Sequence, residues 1–190
     1  MSKVRLYGST SGYIELAAPD VAPDSTLTLP ALAGGFGKVA QVVQTVKTDT
    51  FTTTSTTFTA VTDVEVTITP SSSTSKILVV AFVNFSNETS GRSSHFRLAR
   101  GGTGIFVGDA TGSAVQSTMG SRIGASTAIY PGTIVYLDSP ATTSATTYSI
   151  EARRGASTGA VYVNRAGNEG GDDADKGRTA SSITAIEVAA

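Results

Sequence analysis

Apolar residues recur at every second position along much of the chain from Val39 onward, and this period of two constrains the fold more than any other feature. In residues 63–69 (DVEVTIT), valine and isoleucine alternate with polar residues, as in a strand with one face on a core and the other in solvent. No stretch keeps a helical period between a plausible N-cap and C-cap. The sequence therefore predicts an all-β protein.

Glycine and proline divide the chain into many short strands. Besides residues 63–69, strands are predicted at residues 76–85, 95–100, 104–108, 133–138, 146–153, 160–165 and 182–188. Short strands with a turn about every 8–12 residues are typical of an antiparallel β-sandwich or jelly roll. We expect residues 39–190 to form one such domain, because a chain of this length is long enough to bury a hydrophobic core.

The strand predicted at residues 76–85 (KILVVAFVNF) is apolar on both faces. Ile77 begins one apolar face, whereas Leu78, Val80 and Phe82 form the other. Such a strand is either central in a well-packed sheet or has its second face buried against another subunit. Both interpretations are open from the sequence.

Residues 8–31 (GSTSGYIELAAPDVAPDSTLTLPA) are unlike the start of a globular domain. They hold three of the six prolines, and their larger apolar residues form two strand-like phrases but no core-forming run. Proline favours an extended backbone and lowers the entropy lost on docking. The glycine-rich residues 32–38 (LAGGFGK) predict a hinge. We expect residues 1–38 to be an extended arm that buries its apolar side chains on other chains.

The composition limits which binding partners and which cellular location are to be expected. Charged residues make up 15% of the chain and the net charge is −1, which argues against a nucleic-acid partner. The absence of cysteine excludes disulfides and thiolate metal sites. No apolar run approaches the roughly 20 residues of a membrane span, and MSKVRLYGST lacks the apolar region of a signal peptide. We expect a soluble protein without membrane insertion that does not use the general secretory route.

One pentapeptide matches a catalytic pattern. Residues 155–159 (GASTG) match the nucleophile elbow, in which a serine sits between a strand and a helix. The following AVYVNR predicts a strand, however, and the single histidine, His95, precedes Ser157 rather than following it. We expect a hairpin turn at residues 155–159, a surface or interface position for His95, and no catalytic residue.

Two kinds of binding site are suggested by loop composition, a cation site and a phosphate site. Asp172, Asp173 and Asp175 share a loop, where hard cations bind, but the EF-hand spacing fails and Lys176 offsets part of the charge. A solvated loop is the prediction and weak calcium binding the alternative. Residues 34–38 (GGFGK) and 100–104 (RGGTG) resemble phosphate-binding loops, but the first lacks the required serine or threonine and the second precedes a strand. Both are predicted turns, and no cofactor is expected.

Several phrases resemble proteins of tailed-bacteriophage virions. The arm is similar to an N-terminal segment of phage fibre and other virion proteins, in which GSTSGY and TLTLP recur. The domain resembles a structural module of marine and cyanobacterial phages. The order of phrases also resembles, loosely, the trimeric jelly roll of the tumour-necrosis-factor and complement C1q type, in which an inner apolar strand packs along the threefold axis. The phrases that carry the resemblance in the domain lie at residues 51–79, 96–109, 136–153, 161–165 and 181–190.

The resemblance implies a non-enzymatic virion structural protein, namely a homotrimeric short fibre or decoration protein on the virion surface, assembled in the host cytoplasm. Its partners would be its own copies and a major capsid, portal or tail protein. We expect the trimer interface to include Ile77, Leu78, Val80 and Phe82. The residues expected to attach the arm to the virion are Tyr7, Gly8, Gly12, Tyr13, Ile14, Leu16, Leu27, Leu29 and Pro30.

Two alternatives remain. The domain could be a receptor- or glycan-binding tail-fibre tip that contacts a host-surface glycan, with Tyr130, Tyr136 or Tyr162 lining exposed pockets. A hydrolase on a β scaffold is the second alternative, and it requires a nucleophile and a base that the sequence does not supply.

Overall fold

The structure is a computed structural model that describes residues 3–7, 13–17, 38–155, 158–168, 174 and 176–189, with side chains from residue 38 onward. Its contacts divide the chain into two compact units, Met1–Phe36 and Gly37–Ala190. The described part of the first unit is an antiparallel strand pair, β1 (Lys3–Tyr7) and β2 (Tyr13–Ala17), with Tyr7 opposite Tyr13. This part of the arm is therefore a β-hairpin rather than a single extended run, because residues 13–17 pair with residues 3–7.

The second unit consists of antiparallel strands in two sheets, and no helix occurs among the described residues. This confirms the predicted all-β, antiparallel sandwich. The strands are β3 (Val39–Lys47), β4 (Phe51–Thr53), β5 (Thr59–Ile68), β6 (Lys76–Asn87), β7 (Ser93–Arg100), β8 (Thr103–Ile105), β9 (Met119–Arg122), β10 (Tyr130–Asp138), β11 (Thr146–Arg154), β12 (Val161–Val163) and β13 (Ser181–Val188).

Sheet I is built around β6. One edge of β6 pairs with β10, and the other pairs first with β13 and then with β12. Strands β3 and β4 lie outside β13 and β12, which gives the order β10-β6-β13-β3 over most of the sheet. The first long strand of the domain therefore lies beside the last one, as in Greek-key sandwiches and jelly rolls.

Sheet II has the order β5-β11-β7, and β8 and β9 share the outer edge of β7. An irregularity in β5 adapts this sheet to the core. Asp63 has a positive φ of 61°, and the pairing with β11 shifts register next to it. The bulge allows both Val61 and Val64 to be buried although they are three residues apart, which strict alternation would not allow.

The core lies between the two sheets. Val79, Ala81 and Val83 of β6 are fully buried and face apolar residues of sheet II such as Leu98. The rings of Phe85 and Phe96 join the sheets, with centroids 4.8 Å apart. Burial of these side chains is the main favourable contribution to folding, because apolar burial contributes roughly 25 cal/mol per Å². No helix capable of spanning a membrane occurs in the part of the chain that the structure describes.

Candidate interaction surfaces

The outer face of sheet I, which points away from the core, carries apolar residues on each of its long strands. In one row that crosses the sheet, Leu137 lies opposite Leu78, Leu78 opposite Ile186, and Ile186 opposite Val42. Leu137 is 47% exposed and Val42 is 58% exposed, whereas the two residues between them are half-buried. Four aliphatic side chains thus form a continuous strip from one edge of the sheet to the other.

The adjacent rows extend the strip. Val135, 55% exposed, lies opposite the half-buried Val80. In the next row Phe82 is 41% exposed, and Val46 of β3 is also exposed. Soluble monomers rarely expose large contiguous apolar patches, so a surface of this kind indicates a contact with another molecule.

Uncharged polar residues lie between the apolar ones on this outer face, namely Thr133, Ser182, Gln44 and Thr184. Gln44 and Thr184, in the same row as Val80, are hydrogen-bonded to each other, with Gln44 Nε2 donating to Thr184 Oγ1 at 2.9 Å. The charged residue nearest to the strip on these strands is Lys76, at the beginning of β6. The surface therefore has little charge to desolvate on association.

The structure separates the four predicted trimer-interface residues. Leu78, Val80 and Phe82 lie on the outer face, as their alternation in β6 requires. Ile77 is fully buried in the core of its own subunit and pairs with Glu187 and Asp138 in the neighbouring strands. Ile77 is therefore unavailable to another chain, because consecutive residues of a strand point to opposite faces.

Sequence reasoning missed most of this surface. Val42, Val135, Leu137 and Ile186 come from strands that are distant in the chain from β6, and only the pairing register brings them together. The signal was present in each strand: the outward positions of β3 and β10 hold valine and leucine where a solvated strand would hold polar residues.

The predicted attachment residues are only partly described. Tyr7, Tyr13, Ile14 and Leu16 lie in the β1–β2 hairpin, where Leu6 is opposite Ile14 and Val4 is opposite Leu16. Gly8, Gly12, Leu27, Leu29 and Pro30 lie outside the described residues.

The elbow-like segment connects the two sheets. It joins β11 of sheet II to β12 of sheet I, so it is a crossover rather than the predicted hairpin turn. A strand follows it, as predicted, and not the helix that a nucleophile elbow needs. Ser157 itself lies outside the described residues.

His95 lies on the outer face of sheet II. Burial, and then the charge of Arg153, lower the pKa of the imidazole, and its Nδ1 atom is buried without a hydrogen-bond partner. A nearby aromatic ring, Phe58, has the guanidinium of Arg97 4.4 Å from its centroid, and Arg97 Nε donates to Glu151 at 2.6 Å. These contacts stabilise the outer face of sheet II.

A buried polar cluster fixes one edge of the sandwich. Asp138 of β10 is 5% exposed, and its Oδ2 atom accepts hydrogen bonds from Arg100 at 2.7 Å and from the hydroxyl of Tyr148 at 2.6 Å. Burial and the bond to Asp138 raise the pKa of Tyr148, and the same carboxylate raises the pKa of Arg100. The guanidinium is therefore charged and fixed in orientation.

The three tyrosines proposed for pockets lie in different settings. Tyr130 accepts a hydrogen bond from the backbone N–H of Gly124 at 3.1 Å. Tyr162 is 8% exposed and is covered by the guanidinium of Arg165, 4.2 Å from the ring centroid. Tyr136 is half-buried and stacks on Phe106, with ring centroids 4.9 Å apart. Of the three, Tyr136 thus belongs to an exposed aromatic pair.

The three aspartates of the predicted acidic loop, Asp172, Asp173 and Asp175, lie outside the described residues. Among the residues that are described, no group of three or more acidic or histidine side chains is close enough together to hold a metal ion.

No model of a known protein family matches the chain, and no curated protein sequence matches it significantly.

Proposed function

We propose that this chain is a non-enzymatic structural protein of a bacteriophage virion, a homotrimeric short fibre or decoration protein. The N-terminal unit attaches it to the capsid or tail, and the β-sandwich points outward. The observation that carries the proposal is the patch of exposed aliphatic and aromatic residues on the outer face of sheet I, because such a patch needs a partner and copies of the same chain supply one.

The assignment of this face to copies of the chain has two supports. First, its exposed residues come from both edge strands and from the centre of the sheet, so copies arranged around a threefold axis can bring these faces together at the axis. Second, the sequence resembles jelly-roll trimers in which an inner apolar strand lies along the threefold axis, and β6 corresponds to that strand. The proposed number of copies comes from this resemblance, and the proposed position of the interface between copies comes from the exposed side chains.

The attachment role rests on the N-terminal unit. An isolated two-stranded hairpin is at best marginally stable in water, and the described part of this unit is such a hairpin. Its strands pair Leu6 with Ile14 and Val4 with Leu16, which gives it aliphatic residues to bury. We assign the surface that buries them to another virion protein, which also agrees with the resemblance of this segment to phage virion proteins.

The attachment is tested with particles grown from a phage genome deleted for this chain. Labelled full-length protein is mixed with the particles, which are then sedimented, and the bound label is counted. We expect Ile14→Asp and Leu16→Asp to reduce bound label at least about tenfold, since each places a charge where apolar burial is needed. Glu15→Gln, between them on β2, is the matched control and should bind as the unmodified chain does.

Two results would contradict the proposal. If the unmodified chain does not bind the particles, this protein is not a component attached to their surface. If both aspartate variants bind normally, attachment does not use the N-terminal unit.

A further inference from the structure

The open side of the sandwich carries an exposed aromatic side chain that folding does not explain. Phe106 follows β8, the edge strand of sheet II, and stacks on Tyr136 of β10, the edge strand of sheet I, with an interplanar angle of 14°. Phe106 remains 51% exposed. One face of its ring contacts Tyr136, and much of the remaining side chain is open to solvent.

The backbone at Phe106 is also unfavourable. Its φ is +52°, in the left-handed region that bulky side chains rarely adopt and glycine adopts readily. Neither burial nor backbone conformation therefore favours phenylalanine at this position. Residues held in such conformations are concentrated at ligand-binding and active sites.

A fixed hydrogen-bond donor, Arg100, is held by a residue two positions beyond Tyr136 on β10. Asp138 is two residues beyond Tyr136 on the same side of β10, about 7 Å further along the strand. Its carboxylate holds Arg100, whose side chain is 36% exposed. Arg100 also lines a surface depression of about 360 Å³, together with Gly101, Pro140, Thr142, Thr146 and Thr147.

An exposed ring and, further along the same side of β10, a pre-oriented guanidinium together suit a saccharide, which is large enough to contact both. The C–H face of a pyranose packs on an aromatic ring, and its hydroxyl or carboxylate oxygens accept hydrogen bonds from Arg100. Because Asp138 already balances the charge of Arg100, the site does not require an anionic ligand. The depression, which Arg100 lines and the two rings do not, lies within the size range of small-ligand sites.

We propose that Phe106, Tyr136 and Arg100 form a saccharide-binding site on the open side of the sandwich between β8 and β10. This site does not depend on the virion assignment or on the outer face of sheet I. If both proposals hold, each copy in the assembly presents one such site.

Saturation-transfer NMR on the full-length protein tests the site with methyl glucoside, methyl galactoside, N-acetylglucosamine and glucuronate as probes. We expect transfer to the ring C–H protons of at least one probe, with affinity near the millimolar range that is usual for single weak contacts. Transfer to glucuronate alone would show that Arg100 binds a carboxylate oxygen. Transfer to the uncharged sugars would show that Arg100 binds a hydroxyl oxygen.

Phe106→Gly is the decisive variant. Glycine relieves the left-handed backbone while removing the ring, so this variant should fold at least as stably as the unmodified chain. Its affinity for the probe should fall about tenfold or more. Val107→Ala changes a neighbouring exposed residue that is not part of the site, so this control variant should bind normally.

Three results would overturn the site. The first is no transfer to any of the four probes, and the second is unchanged binding by Phe106→Gly. The third is a change in the sedimentation of Phe106→Gly, because the aromatic pair would then be a contact between copies. Failure of this site leaves particle attachment unaffected, and loss of attachment leaves sugar binding unaffected.

Discussion

At the scale of single residues, buried charged groups hold the loops to the sheets. Glu187 of β13 is fully buried. Its Oε1 atom accepts hydrogen bonds from the backbone N–H of Ser71 at 2.8 Å and from its hydroxyl at 2.6 Å, and its Oε2 atom accepts one from Gln41 at 2.7 Å. This carboxylate therefore ties the turn between β5 and β6 to sheet I. Burial alone would raise its pKa, but the hydrogen bonds outweigh that effect and lower the pKa to about 2.

The stability of the fold should therefore depend on Glu187 in a pH-dependent way. Its folded pKa lies below the ordinary value of 4.5, so its contribution is complete above that pH and is lost as the pH falls towards 2. We expect Glu187→Gln to reduce the free energy of unfolding at neutral pH by about 1–3 kcal/mol, the cost of losing a hydrogen-bonded charge. Denaturant unfolding at several pH values measures this.

The difference between Glu187→Gln and the unmodified protein should shrink as the pH falls below 4.5. Glu65→Gln changes an exposed carboxylate of β5 and serves as the control, with little effect on stability at any pH. A difference that stays constant from neutral pH to pH 2 would contradict the assigned role of this carboxylate.

At the scale of elements, β6 joins the core to the proposed interface. Residues of similar size alternate along it, with Ile77 fully buried and Leu78 half-buried on the outer face. Because adjacent residues belong to opposite faces, truncating each one tests a different property of the protein.

Ile77→Ala should destabilise the fold and Leu78→Ser should weaken self-association. We expect Ile77→Ala to reduce the free energy of unfolding by about 2–5 kcal/mol, as for other buried aliphatic residues truncated to alanine. Leu78→Ser should cost the isolated subunit less than about 1 kcal/mol, since its side chain is not part of the core. Denaturant unfolding at a concentration low enough to dissociate the assembly separates the two. Equal losses in that experiment would show that the outer face belongs to the subunit's own core.

The sequence predicted the long strands that are rich in apolar residues. Residues 76–85 lie within β6, and residues 182–188 lie within β13. It missed β9 (Met119–Arg122), whose residues MGSR have no apolar alternation and which is held by pairing with β7. The predicted strand at 63–69 omitted the first residues of β5, because the bulge at Asp63 breaks the period there. The local pattern of apolar residues was therefore sufficient to predict the fold class. The strand β9 and the bulge in β5 could not be predicted from it, because they depend on pairing with distant strands.

The candidate surface was less accessible to sequence reasoning. Leu78, Val80 and Phe82 could be assigned to one face from β6 alone. Val42 and Leu137 join them only through the order β10-β6-β13-β3, which no local pattern specifies. The proposed role of Phe106 could not be predicted from the sequence either, since it depends on a backbone angle and on stacking with Tyr136.

At the scale of the whole molecule, the sandwich has two faces with different properties. The outer face of sheet II carries charged residues, among them Arg97, Glu151 and Arg153, whereas the outer face of sheet I carries a patch of exposed aliphatic residues. A sandwich that functioned alone would have polar residues on both outer faces. This asymmetry is expected if sheet I faces other copies and sheet II faces solvent.

The most direct test of this account is the sedimentation of the full-length protein at micromolar concentration, compared with the double variant Phe82→Ser and Val135→Ser. The control, Val107→Ser, changes an exposed valine away from the outer face of sheet I. We predict three times the mass of one chain for the unmodified protein and the control, and the mass of one chain for the double variant, with unchanged circular dichroism. A monomeric unmodified protein, or a double variant that remains trimeric, would contradict the account.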